Sequence, residues 1–148
     1  MAKKAKKGKA SIEHIEWLKS NFVIKPEMLE NPDIGVITED VAEQVEYVIE
    51  KLEQLIIINE NYRSYLERAM LTKQEKENIF KMYRALLSIL WDYNATSLVN
   101  TKESYVKWIE KLKNIWENNK KDIIDIFSKL SLKWKNFELK EAEIKYTG

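Results

Sequence analysis

The sequence predicts an all-α protein: an antiparallel four-helix bundle, preceded by a basic N-terminal arm and short helix and followed by an extended or hairpin C-terminal tail. One observation is a seam of alternating steps of four and three along Val41, Val45, Val48, Leu52, Leu55, Asn59, Tyr62, Leu66 and Ala69. Only a helix gathers that spacing onto one side, and Asn59 is its single polar member. A second seam answers it along Tyr105, Ile109, Leu112, Trp116, Asn119, Ile123, Ile126 and Leu130. The third observation is compositional: three glycines and two prolines leave long stretches free of helix breakers.

The elements follow in chain order as residues 1–37 (arm, short helix and joint), 38–130 (helical bundle) and 131–148 (tail). After the lysine-rich start, Ser11 can cap a short helix whose Ile12, Ile15, Leu18 and Phe22 share a face, with Trp17 beside them. That helix is too short to stand alone, so it must dock on its own bundle, another subunit or a ligand carrying the arm. Pro26 opens one further turn through Leu29, and Asn31 to Gly35 is a turn signal, so residues 23–37 read as a joint. Thr38 then caps the long helix, with Glu39 and Asp40 at the positive end of its dipole. Along its outer side Glu39, Glu43, Glu46, Glu50 and Glu53 form an acidic stripe, which is either a solvated face or a surface for a partner's lysines.

Thr72 to Glu75 fits a capping box and starts the next helix, carried by Ile79, Tyr83, Leu86, Leu90 and Tyr93. Phe80, Met82, Leu87 and Ile89 widen its apolar band beyond what one neighbour covers, which makes it central. Asn94 to Ser97 ends it, and Asn100 to Glu103 offers a second capping box. The last helix runs from about Lys102 to Leu130, with a break near Asn119 left open by the polar run Glu117 to Lys121. Asn59 and Asn119 sit on the seams either at wet edges or as register-fixing hydrogen-bond partners. Beyond Ser131 the groups Leu132 and Trp134, Phe137 and Leu139, then Ala142, Ile144 and Tyr146 alternate, which suggests a hairpin or an arm across a neighbour.

At 148 residues and 17.6 kDa the chain is one domain by length and large enough to bury a core. Hydrophobic residues make up 45% and charged residues 33%, which excludes disorder, and no apolar run approaches the roughly 18 residues of a membrane span. The start lacks the apolar segment of a secretory signal, so a soluble protein is expected. Without cysteine there is no disulfide, thiolate metal site or cysteine nucleophile. His14 is the only histidine and reads as a solvated surface residue, too few for the paired Glu-x-x-His motifs of bundle di-iron sites. No nucleophile elbow and no phosphate-cradling glycine loop occurs, so no catalytic residue, metal or cofactor is expected and the chain reads as a non-enzyme. Abundant Lys, Glu and Ile without Cys matches hyperthermophile proteins, a bias that low-GC genomes share.

The net charge of +1 hides a division. Lys3, Lys4, Lys6, Lys7 and Lys9 occupy the first ten residues without an acid, which leaves 20 bases against 24 acids elsewhere, a net of −4. Such a block of like charge serves as a nucleic-acid arm or as a solubilising terminus. The three arginines, Arg63, Arg68 and Arg84, lie inside long helices, so no base-reading helix is evident and binding would be indifferent to sequence. Of the aromatic surplus, Trp17, Phe22, Trp108, Trp134 and Phe137 are the expected interface anchors.

The start Met1 to Lys9, the short helix Ile12 to Phe22, the joint Asn31 to Gly35 and the helical body from Thr38 together resemble the major coat proteins of filamentous archaeal double-stranded DNA viruses, the lipothrixvirus-like group. The resemblance is one of layout along the whole chain and rests on no diagnostic motif. It implies a virion coat protein that encloses duplex DNA, in an A-like form, within a helical filament. It also implies packing against copies of itself, pairing with a paralogous coat chain as a heterodimer, and in some cases a surrounding lipid envelope. On that resemblance Lys3, Lys4, Lys6, Lys7 and Lys9 meet phosphate, with Lys19 and Lys25 as weaker contacts. The family continues its basic character into the first helix, whereas here Glu13 and Glu16 stand beside Lys19. Two other readings are a small archaeal DNA-binding regulator or chromatin protein, acting in the cytoplasm, and a helical protein-interaction adaptor.

Overall fold

Residues 2–58 and 60–138 are described in a computed structural model, with side chains from Ile12 onward, and they form six helices and no strand. These are α1 (Ala2–Asn21), α2 (Pro26–Glu30), α3 (Ile34–Ile56), α4 (Tyr62–Met70), α5 (Lys73–Val99) and α6 (Lys102–Lys135). The all-α class is as the two seams require.

Several boundaries differ from expectation, each for a local reason. The first helix starts at Ala2 and not near Ser11, so the lysine segment and the docking segment share one helix. Asp33, not Thr38, caps α3: its Oδ1 accepts from the Gly35 amide at 2.9 Å and the Val36 amide at 3.4 Å. Thr38 lies one turn inside, fully buried, with its hydroxyl donating to the Ile34 carbonyl at 2.7 Å and lying 3.3 Å from the Tyr93 hydroxyl.

The long seam is also interrupted. The β-branched run at Ile56, Ile57 and Ile58 leaves helical geometry, and α4 begins behind Asn61, whose side chain accepts from the Ser64 amide at 3.2 Å. Arg68 bridges the break by donating to the Ile57 carbonyl at 3.0 Å and the Gln54 carbonyl at 3.4 Å, which satisfies the orphan end of α3. Asn59 lies outside the described residues.

The Thr72 to Glu75 capping box closes as expected, with reciprocal bonds of 2.9 and 3.1 Å. Helix α5 continues through Asn94 to Ser97 and ends only at Asn100, which takes the left-handed conformation at φ 53° and accepts from the Tyr105 hydroxyl at 2.8 Å. The box starting α6 is therefore Thr101 with Ser104, because Asn100 is already spent closing α5. Helix α6 is unbroken. Asn119 is half-buried and donates to the Ile115 carbonyl of its own helix at 2.8 Å, the wet-edge alternative and not a cross-helix register lock. Residues 131–135 are helical where an extended tail was expected, because Leu130 and Trp134 keep the four-residue step. The remainder of that tail, residues 139–148, lies outside the described residues.

Helices α3, α5 and α6 pack pairwise around the core. Thr38 meets Tyr93 and Glu53 meets Tyr83, so α3 and α5 are antiparallel. Tyr93 faces Tyr105 while Glu75 pairs with Lys129, so α5 and α6 are antiparallel as well. Helix α1 departs from an up-and-down order: His14 meets Glu110, Trp17 meets Glu117 and Asn21 meets Lys120, which sets it parallel to α6. The joint and α2 return the chain along the outside before α3 begins.

Candidate nucleic-acid interface

The candidate interface is α1. Its C-terminal half is held by the body: Leu18 is fully buried, Phe22 is buried against Trp116 with ring centroids 4.8 Å apart, and the Trp17 indole donates to Glu117 at 3.1 Å. Gln44 fixes the exit by bonding both the Val23 carbonyl at 2.7 Å and the Val23 amide at 3.0 Å. The N-terminal half carries Lys3, Lys4, Lys6, Lys7 and Lys9, whose side chains lie outside the described residues. No acid occurs in the first turn of this helix. Five cations thus share the end of a helix where the backbone dipole is already positive, an arrangement that a polyanion relieves.

The helix brings those five lysines onto one short segment but does not add the two weaker candidates to them. Lys19 is exposed about 15 Å further along the axis from Lys9. Lys25 is exposed beyond the end of α1, at the N-cap position of α2.

The expected interface aromatics are largely internal. Trp108 is 1% exposed and donates its indole N–H to the Ile89 carbonyl at 2.9 Å, so it is a core residue and offers no surface for a subunit contact. Phe22 is likewise buried, and Trp17 is half-buried against α6. Trp134 and Phe137 are half-buried against one another, with the Trp134 indole donating to Glu67 at 3.0 Å. His14 is not a solvated residue: its side chain is 14% exposed and its Nε2 lies 3.3 Å from a Glu110 oxygen.

The sequence reading missed a second basic cluster. Lys73, Lys76, Lys81 and Arg84 on α5 surround the exposed Phe80, with Glu77 the one acid beside them. The signal was the three-and-four spacing of Lys73, Lys76, Phe80 and Arg84, hidden by reading Phe80 as core. An open groove of about 830 Å³ lies between the second half of α1 and the starts of α3 and α6, lined by Ile12, Ile15, Gly35 and Tyr105 among others. Among its described lining residues the only carboxylate, Asp33, is occupied in capping α3. Among the described residues no cluster of His, Asp and Glu is arranged to hold a metal ion, and no helix is long and apolar enough to cross a membrane.

Compared with protein-family models, with curated proteins and with solved structures, the chain shows no significant match.

Proposed function

We propose that this chain is a structural virion coat protein that binds double-stranded DNA through its N-terminal lysines, without sequence preference, and packs with copies of itself along the duplex. The observation that carries the reading is α1: five lysines without an acid on one end of a helix whose other end is docked into the body at Leu18 and Phe22. A docked helix with a charged extension presents phosphate-binding groups at a fixed place on each subunit, which periodic coating needs and a loose solubilising tail does not supply. Sequence-blind binding follows from lysine, a point charge that meets phosphate without reading a base edge. The acidic balance of the remaining chain keeps DNA contact to the arm. In this reading α1, α3, α5 and α6 form the four-helix body of the subunit, with α1 reversed relative to an up-and-down bundle.

Salt titration of binding to long random-sequence duplex tests it. Five phosphate contacts give a slope of about −4.5 in log affinity against log salt, close to three decades between 50 and 200 mM. A slope near zero, or affinity that changes strongly between random sequences, contradicts the reading.

A further inference from the structure

The outer faces of α3 and α5 carry opposite charge, and among the described residues neither is matched by an ion pair. On α3, Glu39, Glu43, Glu46 and Glu50 are exposed along one side. On α5, Lys73, Lys81 and Arg84 are exposed and Lys76 half-exposed around Phe80. The ion pairs of the described residues include none of these groups. Either stripe alone is accounted for as a solvated helix face. What solvation does not account for is the apolar continuation: the basic stripe runs on into Trp91, 67% exposed, and Leu98, 88% exposed, while the acidic stripe ends at the exposed Ile57. A phosphate backbone would match the lysines and leave Trp91 in water. A helix with acids along one part and an apolar residue beyond them matches both.

The chain contains such a helix. The same number of residues separates Glu39 from Lys73, Glu50 from Arg84 and Ile57 from Trp91. Laid parallel in that register, α3 and α5 of two copies meet over about 27 Å with charge against charge and apolar against apolar. Glu43 then falls opposite Glu77, with Lys73 and Lys81 one turn to either side. Within one chain α3 and α5 are antiparallel neighbours, joined at their flanks where the Tyr83 hydroxyl donates to Glu53 at 3.4 Å. The contact is heterologous: α3 of one copy takes α5 of the next, and the α5 and α3 left over at the two ends can each take a further copy, as a repeating coat requires.

We infer that the acidic stripe of α3 and the basic, aromatic stripe of α5 are the docking surface for a second copy of this chain. The inference rests on the packing of copies in the coat reading and names the surface they use. It is independent of the DNA contact, which lies on α1.

Charge reversal in the full-length protein tests it, with association measured without DNA and affinity for duplex DNA measured separately. One variant carries Glu39→Lys, Glu46→Lys and Glu50→Lys; the other carries Lys73→Glu, Lys76→Glu and Arg84→Glu; far-UV circular dichroism checks that both are folded. Sedimentation equilibrium at low salt should show the wild type associating, each variant alone at least about tenfold weaker, and an equimolar mixture restored, since in the mixed pair every charge again meets its opposite. Wild type that stays monomeric, variants that associate like wild type, or a mixture that stays apart each overturn the inference. It is also overturned if the α5 variant loses DNA affinity and keeps association, because the stripe is then a phosphate contact. If the mixture is restored while wild type ignores DNA, the docking surface stands and the coat reading falls.

Discussion

Glu75 shows how a single side chain ties three elements. Its carboxylate completes the capping box of α5, pairs with Lys129 and lies 3.7 Å from Lys133, whose ammonium also donates to the Met70 carbonyl at the end of α4. Burial by itself would raise the carboxyl pKa, but the bonds from Lys129 and Thr72 and the charge of Lys133 outweigh it and bring the value down to about 2. A folded-state pKa below the unfolded one stabilises the fold above the unfolded value near 4.5, and that contribution is lost as pH falls toward 2. Thermal unfolding of Glu75→Gln should therefore show a lower Tm than wild type at neutral pH, with the difference closing between pH 4.5 and 2. A difference that persists unchanged at pH 2 contradicts the assignment. Trp108, expected as an interface anchor, instead shares the core side with its neighbours Tyr105 and Ile109, and nothing in the sequence says that Ile89 supplies the acceptor for its indole. Trp108→Ala should cost about 3–5 kcal/mol in chemical denaturation, the cavity and the lost indole hydrogen bond both contributing.

At the scale of elements, helices were legible where periodicity and caps agreed and illegible where they competed. The Thr72 box announced α5, and the second seam announced α6, because apolar spacing and capping chemistry pointed the same way. The first seam misled: its phase continues from Leu55 to Leu66, but the β-branched Ile56, Ile57 and Ile58 and the Asn61 cap break it, and a face that stays in phase does not require an unbroken backbone. The alternation after Ser131 misled in the opposite sense, since Leu130 and Trp134 fit a helical step as well as a strand pattern. The α1 site was legible only as charge; that its helix runs from Ala2, and docks parallel to α6, depends on contacts far apart in sequence. Phe22→Ala should release that docking. Amide exchange across residues 12–21 should accelerate far more than in α5 and α6, because the loss of about 3 kcal/mol falls on the docking of α1. Uniform acceleration throughout the chain would mean that α1 is not a separable unit.

The described residues form a three-helix core of α3, α5 and α6 with α1 held along α6, a lysine segment at one end and two stripes on the outer faces that no described residue matches. In the proposed reading each feature has a part in a subunit that repeats along a polyanion: the lysines would anchor, the body would space, and the stripes would join neighbours. The claim at the centre of the account is that the lysines of α1 make the DNA contact. Its most direct measurement compares full-length protein with a variant in which Lys3, Lys4, Lys6, Lys7 and Lys9 are all changed to Gln, sedimented with long random-sequence duplex at low and high salt. Large complexes are expected for the wild type at low salt, with their dispersal at high salt and a variant that folds but leaves the DNA free. A variant that coats DNA as well as the wild type, or a wild type that ignores DNA at low salt, contradicts it.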